Sequence, residues 1–216
     1  MSDGGIWRSN AVILVLLVFV NLMLMSLPEL IWIVVGILML LGAMFLSYRQ
    51  GGAIGHEACS VLKTVERAQD PASPTHGQLD SKTMKQAYNV STGIKSIFAS
   101  ALVPYVINCV YIIVMLLQTS SEGLLFGSRL AAWIVSLPFW PVICHWHEAF
   151  DVLSADIVIM LMASPFLLPV CTFLGYLQGP KLWQKTEVAM AQGKRRAKAK
   201  SRVVKKKQVR TQKPEI

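Results

Sequence analysis

Charged residues are scarce in this sequence, and their scarcity limits the class of protein that it can be. Only 15% of the 216 residues are charged, whereas a soluble globular domain carries about 25%. Hydrophobic residues make up 54% of the chain. The positive charge is also unevenly spread, because 13 of the 21 Lys and Arg residues follow residue 178. This combination argues against an ordinary soluble domain and indicates an integral membrane protein with a basic C-terminal end.

The sequence also lacks the cysteine pairs that build disulfide frameworks. Its four cysteines, Cys59, Cys109, Cys144 and Cys171, are far apart, and none forms a C-x-x-C pair. Disulfide-stapled domains are small and cysteine-dense, so we expect these cysteines to behave mainly as small apolar residues. No glycine-rich nucleotide-binding pattern is completed either. No motif therefore names a reaction.

Long apolar runs are the main feature that is present. A bilayer core about 30 Å thick is crossed by about 20 apolar residues in a helix. Residues 11–27, 30–48, 97–117 and 157–177 form runs of roughly this length. A signal peptide would end in a cleavage site before polar mature sequence, but the second run follows the first almost at once. Residues 1–48 are therefore predicted to form a retained transmembrane hairpin.

Residues 49–96 are polar and are predicted to form a helical loop on the cytoplasmic side. Apolar residues recur at helical spacing over residues 54–68, which predicts a short amphipathic helix. The prolines after Asp70 end that helix, because proline cannot donate a backbone hydrogen bond and disfavours helical backbone before it. A second short helix is predicted to begin at Asp80 or Ser81, both good N-cap residues.

The distribution of Lys and Arg orients the chain. Positive residues near the ends of spans favour the cytoplasmic side of a membrane. The 49–96 loop carries six of them and residues 119–128 carry none. Both this loop and the basic C-terminal end are thus predicted to be cytoplasmic, with an even number of crossings between them.

One of the three apolar segments within residues 97–178 should then not cross the membrane fully. The weakest is 129–147, which contains Pro138 and Pro141 and has a polar end. Irregular backbone survives at membrane depth only where protein or a water cavity covers it. We predict an all-α integral membrane protein with four spanning helices and this segment re-entrant or interfacial. Both termini would face the cytoplasm, and the bacterial cell membrane is the expected location. The alternative is five spans with the N-terminus outside.

The densest cluster of polar side chains follows this broken segment. Thiolate, imidazole and carboxylate groups together can bind Zn²⁺ or another divalent transition metal. Four such groups share one helical face, because three- and four-residue spacings align. They are Cys144, His147, Glu148 and Asp151. The alternative is a polar cap at headgroup level, and on balance we expect no cofactor.

Residues 179–216 are predicted to form an interfacial helix followed by a disordered tail. Leu182, Trp183 and Met190 form an apolar stripe beside lysines, which is typical of a helix lying in the membrane interface. Residues 194–213 contain eleven Lys or Arg and no acid, so this segment repels itself. The residues predicted to contact anionic lipid headgroups or an acidic protein partner are Lys194, Arg195, Arg196, Lys198, Lys200, Arg202, Lys205, Lys206, Lys207 and Arg210. Nucleic acid is a less favoured partner, because stacking aromatics are missing from this tail.

Three functions from different classes fit these features. The first is a multi-pass membrane subunit or scaffold without enzymatic activity. The second is a small homo-oligomeric channel or transporter at the proline-broken segments, where Asn21 and Asn108 are predicted to face other helices. No span carries a charged residue near its centre, which disfavours an ion-coupled transporter. The third is a membrane metalloenzyme at the Cys144 cluster.

Overall fold

Every regular element in the described part of the chain is helical. The computed structural model describes residues 4–71, 81–117, 122–139 and 155–193. Its helices are α1 (Gly4–Leu24), α2 (Glu29–Gln69), α3 (Ser81–Gln86), α4 (Val90–Leu116), α5 (Glu122–Ser136) with a 3₁₀ turn at Leu137–Phe139, α6 (Ala155–Leu177) and α7 (residues 179–193).

Three helical stretches are long and apolar enough to cross a membrane. They are Glu29–Gln69, Val90–Leu116 and Ile157–Gly193, and the apolar part of α1, Asn10–Leu24, is shorter. The prediction of an all-α membrane protein is therefore confirmed at this level. The predicted number of four spans and the re-entrant segment go beyond what these three stretches establish.

The second apolar run and the amphipathic segment after it form one continuous helix, α2. At 41 residues and about 1.5 Å per residue, α2 is about 60 Å long, which is roughly twice the thickness of a bilayer core. The position predicted to separate hairpin from loop, residue 48, lies inside this helix. Gly51 and Gly52 would weaken an isolated helix here, but both are buried against α6 and α7. Packing thus keeps the helix continuous.

The bundle is organised around α2 and α6, which run parallel. Trp32 near the start of α2 shares a core cluster with Ile157 near the start of α6, and Gly51 meets Thr172 further along both helices. The neighbouring α1 runs antiparallel to α2, since Leu17 packs with Ala43. These contacts join the beginning and the end of the chain in one core.

The third spanning helix, α4, begins earlier than the third apolar run. The side chain of Asn89 accepts a hydrogen bond from the backbone N–H of Ser91 at 2.9 Å, so Asn89 is the N-cap. The predicted short helix at Ser81 is present as α3, which ends before α4 begins. The helix α4 runs antiparallel to α6, because Gly93 lies against Phe173 while Tyr111 packs with Ile157.

The helix α5 packs beside α4 and its chain continues inward. Ala132 and Leu137 are fully buried in the cluster that contains Trp32 and Ile157. Phe139, two residues later, packs against Leu40, which lies near the middle of the apolar part of α2. The end of α5 therefore reaches the interior of the bundle.

Candidate functional site

The side chains predicted to bind metal or lipid lie outside the described residues. This holds for Cys144, His147, Glu148 and Asp151, and for all the basic residues of the tail after residue 193. Within the described part of the chain, no group of three or more His, Cys, Asp or Glu could hold a metal ion. The site that can be built from described residues is a different one, beside the prolines inside α4 and α6. These are Pro104, Pro165 and Pro169, and we refer to their positions as the proline bends.

Asn108 supplies a hydrogen bond at the position in α6 where Pro165 removes one. A proline in a helix has no N–H for the carbonyl four residues earlier, so Pro165 leaves Leu161 O without its usual donor. The Nδ2 atom of Asn108, on α4, donates to this oxygen at 2.7 Å. Asn108 is fully buried, and a buried amide without partners would cost free energy. The predicted contact of Asn108 with another helix is thus observed, together with the reason for it.

Asn21, the other asparagine within an apolar run, does not use its amide in this way. It is fully buried, but its Nδ2 atom donates to Leu17 O of its own helix at 2.9 Å. The burial of Asn21 agrees with the prediction that it faces other helices. Its hydrogen bond, however, stays within α1. Asn21 therefore stabilises α1 rather than joining two helices by a side-chain hydrogen bond.

An apolar cavity of about 220 Å³ lies beside the proline bends. It is bounded by α1, α4, the end of α5 with its 3₁₀ turn, and α6, and Pro104, Pro165 and Pro169 all contribute to its wall. Its other walls are mostly aliphatic and aromatic, with Asn10, Ser100 and Ser164 as its polar members. Among the described residues, no charged side chain lines it. The cavity thus suits an apolar or uncharged molecule rather than an ion.

Asn10 is held in place at one end of this cavity by Thr172. The Thr172 hydroxyl lies 2.7 Å from Asn10 Oδ1 and 3.1 Å from Leu168 O, and we assign its single proton to the nearer oxygen. Both Asn10 and Thr172 are buried. The Asn10 Nδ2 atom is buried without a hydrogen-bond partner. The Nδ2 atom is therefore packed into the wall and is closed off from the cavity itself.

A row of small residues lets α2 approach α6 and the start of α7 at backbone distance. Gly51 and Gly55 on α2 face Gly175 and Gly179, so the spacing of four is repeated on both sides. A Cβ on Gly51 would lie 2.8 Å from the carbonyl carbon of Thr172, and one on Gly179 would lie 2.7 Å from the Cα of Gly55. Small residues four apart are a common basis of helix association in membranes. The sequence contained this signal in both helices, but not that the two rows meet.

We call this close contact the α2–α6 crossing. Beyond it, aromatic side chains join α2, α4, α6 and α7. Tyr88 and Tyr176 stack with ring centroids 4.8 Å apart, and the Tyr176 hydroxyl contacts Asn89 O at 3.3 Å. The rings of His56 and Trp183 lie 5.4 Å apart. These contacts hold the parts of α2 and α7 that extend past the apolar segments.

Cys59 lies in the same region, and its thiol is expected to be unreactive. Its side chain is buried, and burial raises the pKa of its thiol, against the smaller opposing effect of Lys63. The pKa of Tyr88 is also raised, first by burial and then by the charge of Cys59. Because a thiol reacts as the thiolate, both burial and the raised pKa make Cys59 unreactive.

In comparisons with known proteins, no family model, no curated protein and no solved structure matches this chain.

Proposed function

We propose that this protein is a multi-pass membrane subunit or scaffold that holds a rigid helical platform and a basic tail at the cytoplasmic membrane surface. The supporting observation is the α2–α6 crossing, which lies at the end of the apolar segments. Past it, α2 and α7 each continue for about 20 Å, at about 1.5 Å per residue. Tight glycine packing at Gly55 and Gly179 fixes the direction of both helices. The tail begins where α7 ends.

The proposed topology has four spans and one re-entrant segment. Antiparallel packing of α1 along α2 supports a crossing by α1, although its described apolar part is shorter than the other spans. Two features favour a re-entrant segment: Phe139 packs against Leu40 in the bundle interior, and α6 starts again beside Trp32 near the start of α2. With the basic segments inside, both termini are cytoplasmic.

The basic tail is proposed to hold anionic lipid or an acidic partner. Each Lys or Arg near an anionic leaflet contributes about 1 kcal/mol, falling off within a Debye length of about 8 Å. If half of the eleven positive residues in 194–213 engage, the attraction is about 5 kcal/mol. That is enough to keep the tail at the surface where α7 delivers it.

Vesicle capture tests this function. The full chain is placed in nanodiscs of zwitterionic lipid, and capture of anionic or zwitterionic vesicles is measured at low and at physiological salt. We expect capture of anionic vesicles only, weakening as salt rises. Replacing the ten basic tail residues with glutamine should abolish capture, whereas neutralising the six Lys and Arg of residues 49–96 is the matched control and should not. A tail-neutral variant that captures vesicles like the full chain would contradict the lipid form of the proposal. An acidic partner would then be sought by crosslinking in cell membranes, and the scaffold proposal fails if the tail-neutral variant retains every crosslink.

A small oligomeric channel or transporter is the second candidate, and the cavity at the proline bends supports it. Since the described part of the chain places no charged side chain in the wall of that cavity, the transported solute would be uncharged. Reconstituted protein should then pass such a solute, and substitution of Asn108 or Pro138 should change the flux. Absence of flux for a panel of small uncharged solutes would remove this candidate.

The metalloenzyme hypothesis rests on Cys144, His147, Glu148 and Asp151 alone. It predicts one divalent transition metal per chain in purified protein, lost in His147→Ala. Metal-free wild-type protein, or unchanged metal content in the variant, would end it.

A further inference from the structure

The cavity at the proline bends lies at the depth where lipid chains meet their headgroups. Asn10 is at one end of it, directly before the apolar run of α1. In a membrane this is the boundary between hydrocarbon and the interface, where aromatic residues such as Trp7, another wall residue, are enriched. From Asn10 the cavity extends past Leu14 towards Phe139. One end is thus at ester-carbonyl depth and the other is in the hydrocarbon.

The cavity opens sideways between α1 and α4. Val15 and Val103 both line it, yet 56% of Val15 and 59% of Val103 is exposed. Both residues belong to apolar segments, so in a membrane their exposed faces contact lipid. A molecule dissolved in the bilayer can therefore enter without crossing polar surface.

Size and polarity of the cavity select the occupant. An apolar cavity of about 150 Å³ already stays dry and binds a benzene-sized molecule, and this one is about 220 Å³. Its walls are aliphatic and aromatic apart from Asn10, Ser100 and Ser164. A flexible hydrocarbon chain therefore suits the cavity in polarity.

Charge at the mouth specifies the headgroup. Arg8 is exposed and lies three residues before Ala11 and seven before Val15, which places all three on one face of α1. Ala11 and Val15 line the cavity. A phosphate attached to the bound chain would therefore lie within reach of the Arg8 guanidinium, which binds phosphate well.

We propose that this cavity binds one acyl chain of an anionic glycerophospholipid. The acyl chain occupies the apolar part of the cavity, and the phosphate lies at Arg8. This site is separate from the basic tail and does not depend on the scaffold function, since it requires only that α1 and α4 lie in a membrane.

Native mass spectrometry of the full chain during stepwise delipidation tests the proposal. We expect one anionic phospholipid to be retained per chain after the other lipids are lost. Ala11→Phe fills the cavity and should abolish retention. Val12→Phe is the matched control, because Val12 is 62% exposed and is not part of the cavity wall, and it should retain the lipid. Circular dichroism and gel filtration of both variants check that each is folded.

One further variant tests the contact with the headgroup. Arg8→Gln should remove the preference for anionic over zwitterionic phospholipid. The proposal is overturned if the wild-type chain retains no phospholipid, or if Ala11→Phe retains as much as Val12→Phe. Equal retention of zwitterionic lipid by the wild-type chain would overturn the assignment of the headgroup.

Discussion

Replacing Gly51 with alanine is expected to separate α2 from α6. The added Cβ would lie 2.8 Å from the carbonyl carbon of Thr172 and 3.0 Å from the backbone N of Tyr176, and it would overlap the carbonyl oxygen of Thr172. Ordinary contacts of a Cβ lie at 3.4–4 Å. Because the opposing atoms are backbone, no change of rotamer relieves the overlap, and one helix must move away from the other.

The expected cost follows from two opposing effects. Overpacking a well-packed core costs about 1–3 kcal/mol. Alanine in place of glycine in a helix contributes about 1 kcal/mol in the other direction. The net loss for Gly51→Ala is therefore about 0–2 kcal/mol, and a larger side chain such as that of leucine should exceed it.

Gly42→Ala is the matched control, because it lies on the same helix and a Cβ there meets nothing within 4 Å. It gains from helix propensity without overpacking, so the two variants should differ by about 1–3 kcal/mol. The stability of Gly93→Ala should fall between those of the other two variants. Its Cβ would meet the ring of Phe173 at 2.9 Å, but this ring belongs to a side chain, which can move aside. Reversible unfolding in mixed micelles, followed by circular dichroism, measures all three. Equal stability of the Gly51 and Gly42 variants would refute the close crossing.

Three other outcomes can be measured independently. Asn108→Leu leaves Leu161 O with only the longer contact from the Ser164 hydroxyl at 3.4 Å, and we expect the same unfolding assay to show a loss of about 0.6–1.7 kcal/mol, the range for hydrogen bonds between membrane helices. Cys59 should react with maleimide much more slowly at pH 7 than a cysteine placed at Ser60, and faster as pH rises towards its raised pKa; equal rates would contradict its burial. A cysteine placed at Ser201 in a cysteine-free background should be labelled by an impermeant thiol reagent only after cells are opened, and labelling in intact cells would reverse the proposed topology.

Much of the fold could be predicted from short stretches of sequence. The apolar runs predicted helices of membrane-spanning length because bilayer insertion depends on the hydrophobicity summed along one helix. The start of α3 at Ser81 was also predictable from local N-cap preference. The continuation of α2 through Gly51 and Gly52 was not, because those glycines are stabilised by a helix more than a hundred residues away.

The candidate site was less predictable than the fold. The sequence drew attention to Cys144, His147, Glu148 and Asp151, which lie outside the described residues, so that hypothesis remains a prediction. It also singled out Asn108 as a buried amide. It gave no reason to select Asn10, which is an ordinary polar residue at the edge of an apolar run.

The sequence by itself determined that this chain is a helical membrane protein with a concentrated positive charge at its C-terminal end, since hydropathy and charge are properties of each segment alone. Only the tertiary structure decided which groups meet. Asn10 and Thr172 are 162 residues apart in the chain, and Asn108 reaches a carbonyl that Pro165 leaves free. Such pairings depend on the relative position and rotation of separate helices. Those are set by close packing across the whole bundle, and no single segment encodes them.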